Sequence, residues 1–126
     1  MRYLITGGSG YIGGRLIDEL SGREETELIV DVDVKPPRRH WPKTEFVKGD
    51  VRDRAAIQAL LERHEIDALI HLAFILNPIR DEATMYDIDV NGTQAVLQAA
   101  SDAGVEQVMV TSSVAAYGAF PDNPKP

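Results

Sequence analysis

The sequence predicts an α/β fold: a parallel sheet of about five strands, doubly wound with helices on both faces. Three observations predict it. Short apolar runs alternate with longer stretches whose apolar residues recur at helical spacing. The short runs are almost wholly apolar rather than alternating, as strands buried on both faces require. The first of them is followed by TGGSGYIG, Thr6 to Gly13, which puts four glycines into eight residues. With 126 residues, 44% hydrophobic and 26% charged, the chain is expected to form one domain over residues 1–126 with a sizeable core.

The elements follow in order. Arg2 to Thr6 reads as a buried strand. Tyr11 to Leu20 reads as a helix, with Ile12, Leu16 and Leu20 on one face and Gly22 as its stop. Leu28 to Val34 is short and β-branched, a second strand. Lys35 to Lys43, KPPRRHWPK, carries three prolines and four basic residues and reads as a loop, too short for a full crossover helix. Glu45 to Asp50 is a brief third strand. Asp53 can cap a helix bearing Ile57, Leu60 and Leu61. Ala68 to Ala73 is a fourth strand, and a long helix runs from about Asp81 to Ala103, ended by Gly104. Val105 to Ser112 is a fifth strand. Strand–helix alternation implies right-handed crossovers and a parallel sheet.

The formal charge of −7 disfavours nucleic acid and anionic membrane surfaces as partners. The absence of cysteine removes disulfides, thiolate metal sites and a cysteine nucleophile, and fits a reducing compartment. No apolar run approaches the roughly 20 residues of a membrane span, and the N-terminus lacks a signal layout. The expectation is a cytoplasmic chain. His40, His64 and His71 show no ligand spacing, so structural roles are expected for them and no metal site.

A strand, a tight glycine turn and a helix together make a pyrophosphate site. The helix N-terminus offers free N–H groups and a partial positive charge, and glycines allow the turn, the approach of phosphate and close helix–strand packing. Gly8-Ser9-Gly10-Tyr11-Ile12-Gly13 matches G-x-G-x-x-G, and Gly7, Gly10 and Gly13 match the wider G-x-x-G-x-x-G spacing. Asp33 lies 20 positions beyond Gly13, at a strand end, where a carboxylate holds the adenosine ribose hydroxyls. A carboxylate there repels a 2′-phosphate, which favours NAD over NADP. Asp31 competes for the role from the same side of the strand, deeper in the sheet. Arg38 and Arg39 leave NADP open. A P-loop is excluded, because no Gly-Lys-Ser/Thr follows the turn. Asn91 is a mediocre choice inside a helix, and its neighbours Ile88 and Ala95 suggest a partly buried face and a role in ordering the site.

TGGSGYIG resembles the start of the NAD-dependent epimerase/dehydratase family, the extended short-chain dehydrogenase/reductase group of sugar-nucleotide enzymes. LIVDVDVKPP resembles its acid-ended second strand, with Asp33 as ribose ligand. VKGDVRD resembles its third strand, where the resemblance implies that Asp50 and Val51 meet the adenine. LIHLAF resembles its fourth strand, with Leu72, Ala73 and Phe74 along the cofactor's path. DVNGTQAVLQAA resembles its long helix, with Asn91 as the structural asparagine. VMVTSSVAAYG resembles its fifth strand and following turn, with Ser113 in the catalytic serine position. The resemblance implies a Rossmann-type fold and hydride exchange with a sugar nucleotide or similar hydroxyl or carbonyl substrate. It also implies a catalytic tyrosine and lysine in Y-x-x-x-K spacing. Four residues after Tyr3, Tyr11, Tyr86 and Tyr117 come Gly7, Arg15, Val90 and Pro121, so that pair is not here. The expectation is therefore an N-terminal cofactor-binding part, truncated before the family's catalytic helix and inactive alone; a non-catalytic dinucleotide-sensing module is the alternative, and a partial domain holding no cofactor a third possibility. An open fifth-strand edge, with Val96 and Ala100 of the long helix facing water or a partner, predicts a homo-oligomer.

Overall fold

The computed structural model of the chain describes residues 1–75, 80–118 and 121. Strands β1 (Arg2–Thr6), β2 (Leu28–Asp33), β3 (Thr44–Lys48), β4 (Ala68–His71) and β5 (Gln107–Val110) form one sheet in the order β3-β2-β1-β4-β5. Every pairing is parallel, with Ile5 of β1 beside Asp31 of β2 and Ile70 of β4, and Asp31 beside Phe46 of β3. The strand order reverses at β1: the chain moves outward to one side through β2 and β3, then returns to the other through β4 and β5. Crevices at such a reversal, beyond the strands' carboxyl ends, are where doubly wound sheets bind ligands.

Alternate residues of β1, β2 and β4 feed two cores. Leu4, Val30, Val32 and Leu69 pack with Ile57 and Leu61 of α2 (Arg54–Arg63) and with Val96, Ala99 and Ala100 of a later helix. Ile5, Ile29 and Ile70 pack on the opposite face with Ile17 and Leu20 of α1 (Tyr11–Ser21). The central strands β1, β2 and β4 are mostly apolar because both their faces are covered, whereas β3 and β5 at the sheet's edges are partly or wholly exposed.

Three expectations change. First, the buried face of α1 is Gly13, Ile17, Leu20 and Ser21, with Leu16 packed against it; of the expected row Ile12 alone falls outside, 57% exposed where Ile17 is 0%. Gly13 fixes the rotation, because a Cβ there would lie 2.5 Å from Gly7 O and from Gly8 Cα. Second, the helical run beginning after Asp81 is not one α-helix. Short α3 (Glu82–Tyr86) leads into a π-helical segment, Asp87–Gly92, and then α4 (Thr93–Asp102). Third, Val96 and Ala100 do not face water: they are 0% and 1% exposed, because α4 packs beside α2 in the first core. The exposed apolar residues along this run are Val90 and Leu97.

The expected caps are present. Asp53 accepts from Ala56 N at 3.0 Å, and Gly22 closes α1. Asp81, a cap not singled out in the sequence, accepts from Thr84 N at 3.0 Å. Gly104 adopts φ +70° just beyond α4, the left-handed position that favours glycine. Residues 34–43 form no helix, as the prolines require. Among the described residues β5 is an edge, and its Val108, Met109 and Val110 are exposed.

Candidate functional site

A cleft of about 910 Å³ opens along the carboxyl ends of the strands, within the size range of small-molecule and cofactor sites. It is lined by the glycine loop after β1, the end of β2, the turn after β3, and the segments beyond β4 and β5. Of the residues singled out in the sequence, Gly7, Gly10, Tyr11, Ile12, Gly13, Asp33, Asp50, Val51, Leu72, Ala73, Phe74 and Ser113 all line it.

The glycine loop is held in place by tight packing. Gly7 has φ +76°, and a Cβ there would meet the Leu72 and Ala73 backbone at 2.9 Å; its N–H donates to Val32 O at 2.8 Å. The turn thus sits against the ends of both neighbouring strands. Gly10 is different. A Cβ there would meet only Gly7 O, at 3.2 Å, and its φ is −75°. That single backbone contact is tight but leaves the other sides of the position open, where a ligand can approach the backbone. Gly10 is also the N-cap of α1, and it supplies no side-chain cap; the first turn holds no acidic residue. α2 and α3 are closed by aspartates, whereas α1 leaves its N–H groups and positive end to the cleft.

The acidic residues divide by role. Asp33 ends β2 at the cleft, and its Oδ1 accepts from Lys35 N at 3.2 Å. Asp31 is 0% exposed and does not line the cleft; it accepts Ser9 Oγ–H at 2.8 Å beneath the loop. Asp31 is therefore no competitor for a ribose. Burial pushes its carboxyl up to about 6, against the lowering effect of the Ser9 bond, and the nearby Asp33 charge adds to the rise. Asp50 is clasped by Arg52, whose Nη2 lies 2.6 Å from Oδ2, and that contact holds its carboxyl below the usual range. Arg52 also reaches Asp87 at 2.9 Å, tying the turn after β3 to the π-helical segment. Val51 is mostly buried, with its Cγ2 2.8 Å from where a Gly92 Cβ would stand.

Asn91 lies apart from the cleft lining and is exposed, so the partly buried face expected for it is absent. Its Nδ2 donates to Asp87 Oδ1 at 2.8 Å. Insertion of a π-turn rotates the helix so that Ile88 and Asp89, not Asn91, reach the cleft. Ser113 caps the 3-10 turn Val114–Tyr117, its Oγ accepting from Ala115 N at 3.2 Å.

His71 is buried at the end of β4, with Nδ1 2.6 Å from Thr6 Oγ1 and Nε2 2.9 Å from Thr93 Oγ1. Thr93 Oγ1 donates its hydrogen to Asp89 O at 2.6 Å, so Nε2 carries the imidazole proton and Nδ1 accepts from Thr6. Burial lowers its pKa to about 4, against the opposing charge of Asp89. Asp89 Oδ1 in turn accepts Ile75 N at 2.8 Å. His71 thus has the structural role expected for it, joining β1, β4 and α4 behind the cleft.

The basic loop, largely exposed, is anchored to α1. Arg39 pairs with Asp18 of α1 and stacks over Trp41 at 5.2 Å, and Trp41 Nε1 donates to Asp18 Oδ1 at 2.8 Å. Among the described residues, no group of three or more His, Asp or Glu is placed to hold a metal ion, and no helix is long and apolar enough to cross a membrane. Arg52, Ile75, Ile88, Asp89, Thr111 and Ser112 also line the cleft but were not singled out in the sequence. Thr111 and Ser112 could have been found, because they come directly after an apolar strand. Arg52 and Asp89 gave no such signal.

The profile described as the NAD dependent epimerase/dehydratase family matches residues 3–126. The chain belongs to the NAD-dependent epimerase/dehydratase family. It is 34% identical to a UDP-glucose 4-epimerase of Klebsiella pneumoniae over 136 aligned positions, covering 99% of this chain and 96% of that sequence. It is 33% identical to the UDP-glucose 4-epimerase of Lactobacillus helveticus, covering 94% of this chain but 37% of the relative. Among solved structures, it superposes on UDP-glucose-4-epimerase from Stenotrophomonas maltophila, bound to NAD and formylated UDP-arabinopyranose. The TM-score is 0.80 at 30% identity, over 99% of this chain and 40% of that one. The Bordetella bronchiseptica enzyme WbmG in complex with NAD gives a TM-score of 0.84 at 26% identity, over 96% of this chain and 41% of that one. This family member therefore spans about two-fifths of the length of most relatives it matches, and the matched part is the Rossmann-type sheet that carries the cleft.

Proposed function

We propose that the chain binds NAD along the carboxyl edge of its sheet and forms the cofactor half of an enzyme that epimerises, or otherwise oxidises and reduces, the sugar of a nucleoside diphosphate sugar. One observation carries the reading: the N-terminus of α1, without a side-chain cap and fronted by a glycine on the cleft wall, opens into the same cleft as the carboxylate ending β2. That pairing suits a pyrophosphate on one side and a ribose on the other. The NAD and UDP-sugar complexes of the structural relatives support it.

In this reading Gly7, Gly10, Tyr11, Ile12 and Gly13 hold the pyrophosphate. Asp33 receives the adenosine ribose hydroxyls, with its Oδ1 already steadied by Lys35 N. Asp50 and Val51 flank the adenine, and Leu72, Ala73 and Phe74 line the path towards the nicotinamide. Bound NAD supplies a carbon that takes up a hydride and gives it back. Ser113 orients the substrate oxygen, and Asn91 acts through Asp87 as a positioning residue. Proton transfer needs a tyrosine–lysine pair, which the 126 residues do not hold in the required spacing. NAD is favoured over NADP because Asp33 repels a 2′-phosphate and Arg39 is already engaged by Asp18 and Trp41. A cysteine-free, acidic chain of this kind fits a reducing cytoplasm, where this reading places it.

Calorimetric titration tests the reading. Wild type should bind one NAD per chain and NADP more weakly. Asp33→Ala should weaken NAD by about tenfold or more, the loss of charged hydrogen bonds, and narrow the preference over NADP. Unchanged affinity for both dinucleotides would show the ribose assignment to be wrong.

A further inference from the structure

The cofactor site leaves Asp31 unexplained. This residue is 0% exposed, and it lies on the face of β2 that packs under α1 and the glycine loop. Its Oδ2 accepts Ser9 Oγ–H at 2.8 Å. Its Oδ1 has no hydrogen bond of full geometry among the described residues, though the backbone N–H groups of Gly8 and Ser9 lie close enough to favour the charged carboxyl. Gly8 sits directly on the carboxyl: a Cβ on Gly8 would lie 2.3 Å from Oδ1. The loop that would carry the pyrophosphate is therefore stacked on a buried acid and bonded to it.

The surroundings offer that acid no counter-charge. Across the sheet its neighbours are Ile5 on β1 and Phe46 on β3. From α1, Ile17 packs against the same Gly8–Asp31 contact. The charged groups on this side are Asp33, two residues along β2, and Lys48, the register partner of Asp33, which is exposed and makes no ion pair among the described residues. An ionised Asp31 is thus desolvated and beside a like charge, and these outweigh the loop's donors, the Ser9 hydroxyl and the Gly8 and Ser9 N–H groups, which favour the charged form. A pyrophosphate on the far side of the loop adds further negative charge.

We propose that Asp31 is a positioning residue of the glycine loop: its carboxyl, bonded to Ser9 beneath Gly8, supports the dinucleotide-binding conformation, and its ionisation weakens the loop's grip on the pyrophosphate. The inference rests on the proposed NAD site. By linkage, a ligand that disfavours ionised Asp31 binds more tightly when Asp31 is protonated, and its binding raises the carboxyl's own titration midpoint. Burial raises the carboxyl to about 6, which gives this a usable range. The pyrophosphate itself stays fully ionised across that range.

The test is the NAD dissociation constant of the whole chain from pH 5 to pH 8, with the Asp31 carboxyl carbon followed by NMR with and without NAD. Wild type should bind about tenfold more weakly at pH 8 than at pH 5, the size of a like-charge interaction across a loop at an effective dielectric of about 20. Asp31→Asn, neutral and of the same shape, should bind with the tight, acid-side affinity at every pH. Ser9→Ala removes the bond that favours the charged form, so its step should move to higher pH. NAD should shift the Asp31 midpoint upward. An Asp31→Asn profile with the same pH step as wild type, or a midpoint that NAD leaves in place, would overturn the proposal. If wild type binds no NAD at any pH, the cofactor reading itself falls, and the inference falls with it.

Discussion

The stability of the chain should carry the mark of Asp31 independently of any ligand. Consider Asp31→Asn. In the unfolded chain this carboxyl titrates near 3.8, and burial raises it to about 6 in the fold. Between those values the native state holds the proton that the unfolded state has lost, so stability falls as pH rises. Above about 6 the full loss is present, about 3 kcal/mol for two units of displacement. His71 works in the opposite direction. Its native value is about 4 against 6.5 unfolded, so its stabilising contribution is complete above 6.5 and is lost as pH falls through 4. The two slopes overlap and largely cancel, leaving wild-type stability nearly flat across this window. Asparagine removes only the first. The difference between variant and wild type should be near zero at pH 4 and grow to about 3 kcal/mol in the variant's favour by pH 7. In urea that is a midpoint shift of about 2 M, for a slope of ~1.5 kcal/mol/M. Equal midpoint shifts at pH 4.5 and pH 7.5, or a variant less stable than wild type at pH 7.5, would refute the reasoning.

The same geometry sets other outcomes. Gly10→Val should cost the fold about 1–2 kcal/mol, from the tight contact of its Cβ with Gly7 O, yet abolish NAD binding by filling the approach to the α1 N-terminus; calorimetry beside a melting curve separates the two effects. Ile17→Ala should cost about 3 kcal/mol by urea denaturation, whereas Ile12→Ala should cost little, since only Ile17 is in the core. The exposed β5 edge with Val108, Met109 and Val110 should drive self-association, seen in light scattering as a mass above 13.9 kDa that falls on dilution; a constant monomer mass at high concentration counts against it.

The sheet and its cleft were readable because parallel strands leave a plain record. Most strands are short, mainly apolar runs, and the residues just after each run stand at the carboxyl edge. That is why residues as distant in sequence as Gly7, Asp50 and Ser113 could be assigned to one place, and they do line one cleft. Helix rotation was less readable. Ile12, Leu16 and Leu20 form a plausible stripe, but Gly13 had to face the strand, and that contact set the rotation of α1. The π-helical segment left no trace in the periodicity, since one extra residue in a turn looks like an imperfect helix. It turned Asn91 outward and left Asp89 to bond the backbone of Ile75. Val96 and Ala100 were misassigned for a different reason. Their cover is α2, and which helices pack side by side is a property of the assembled fold, not of either segment. Asp31 was placed correctly on the face of Asp33, deeper in the sheet. Its bond to Ser9, 22 residues away, could only be seen once the loop had folded over it.

The central claim is that the glycine loop, the end of β2 and the turns after β3 and β4 form one dinucleotide site. Amide NMR spectra of the labelled chain, recorded during titration with NAD, test it most directly. NAD should produce saturable shifts concentrated at Gly7 to Gly13, Asp33, Asp50–Val51 and Leu72 to Phe74, with α2 and the outer face of α4 unmoved. Spectra unchanged at millimolar NAD, or shifts centred on α4 around Leu97, would contradict it.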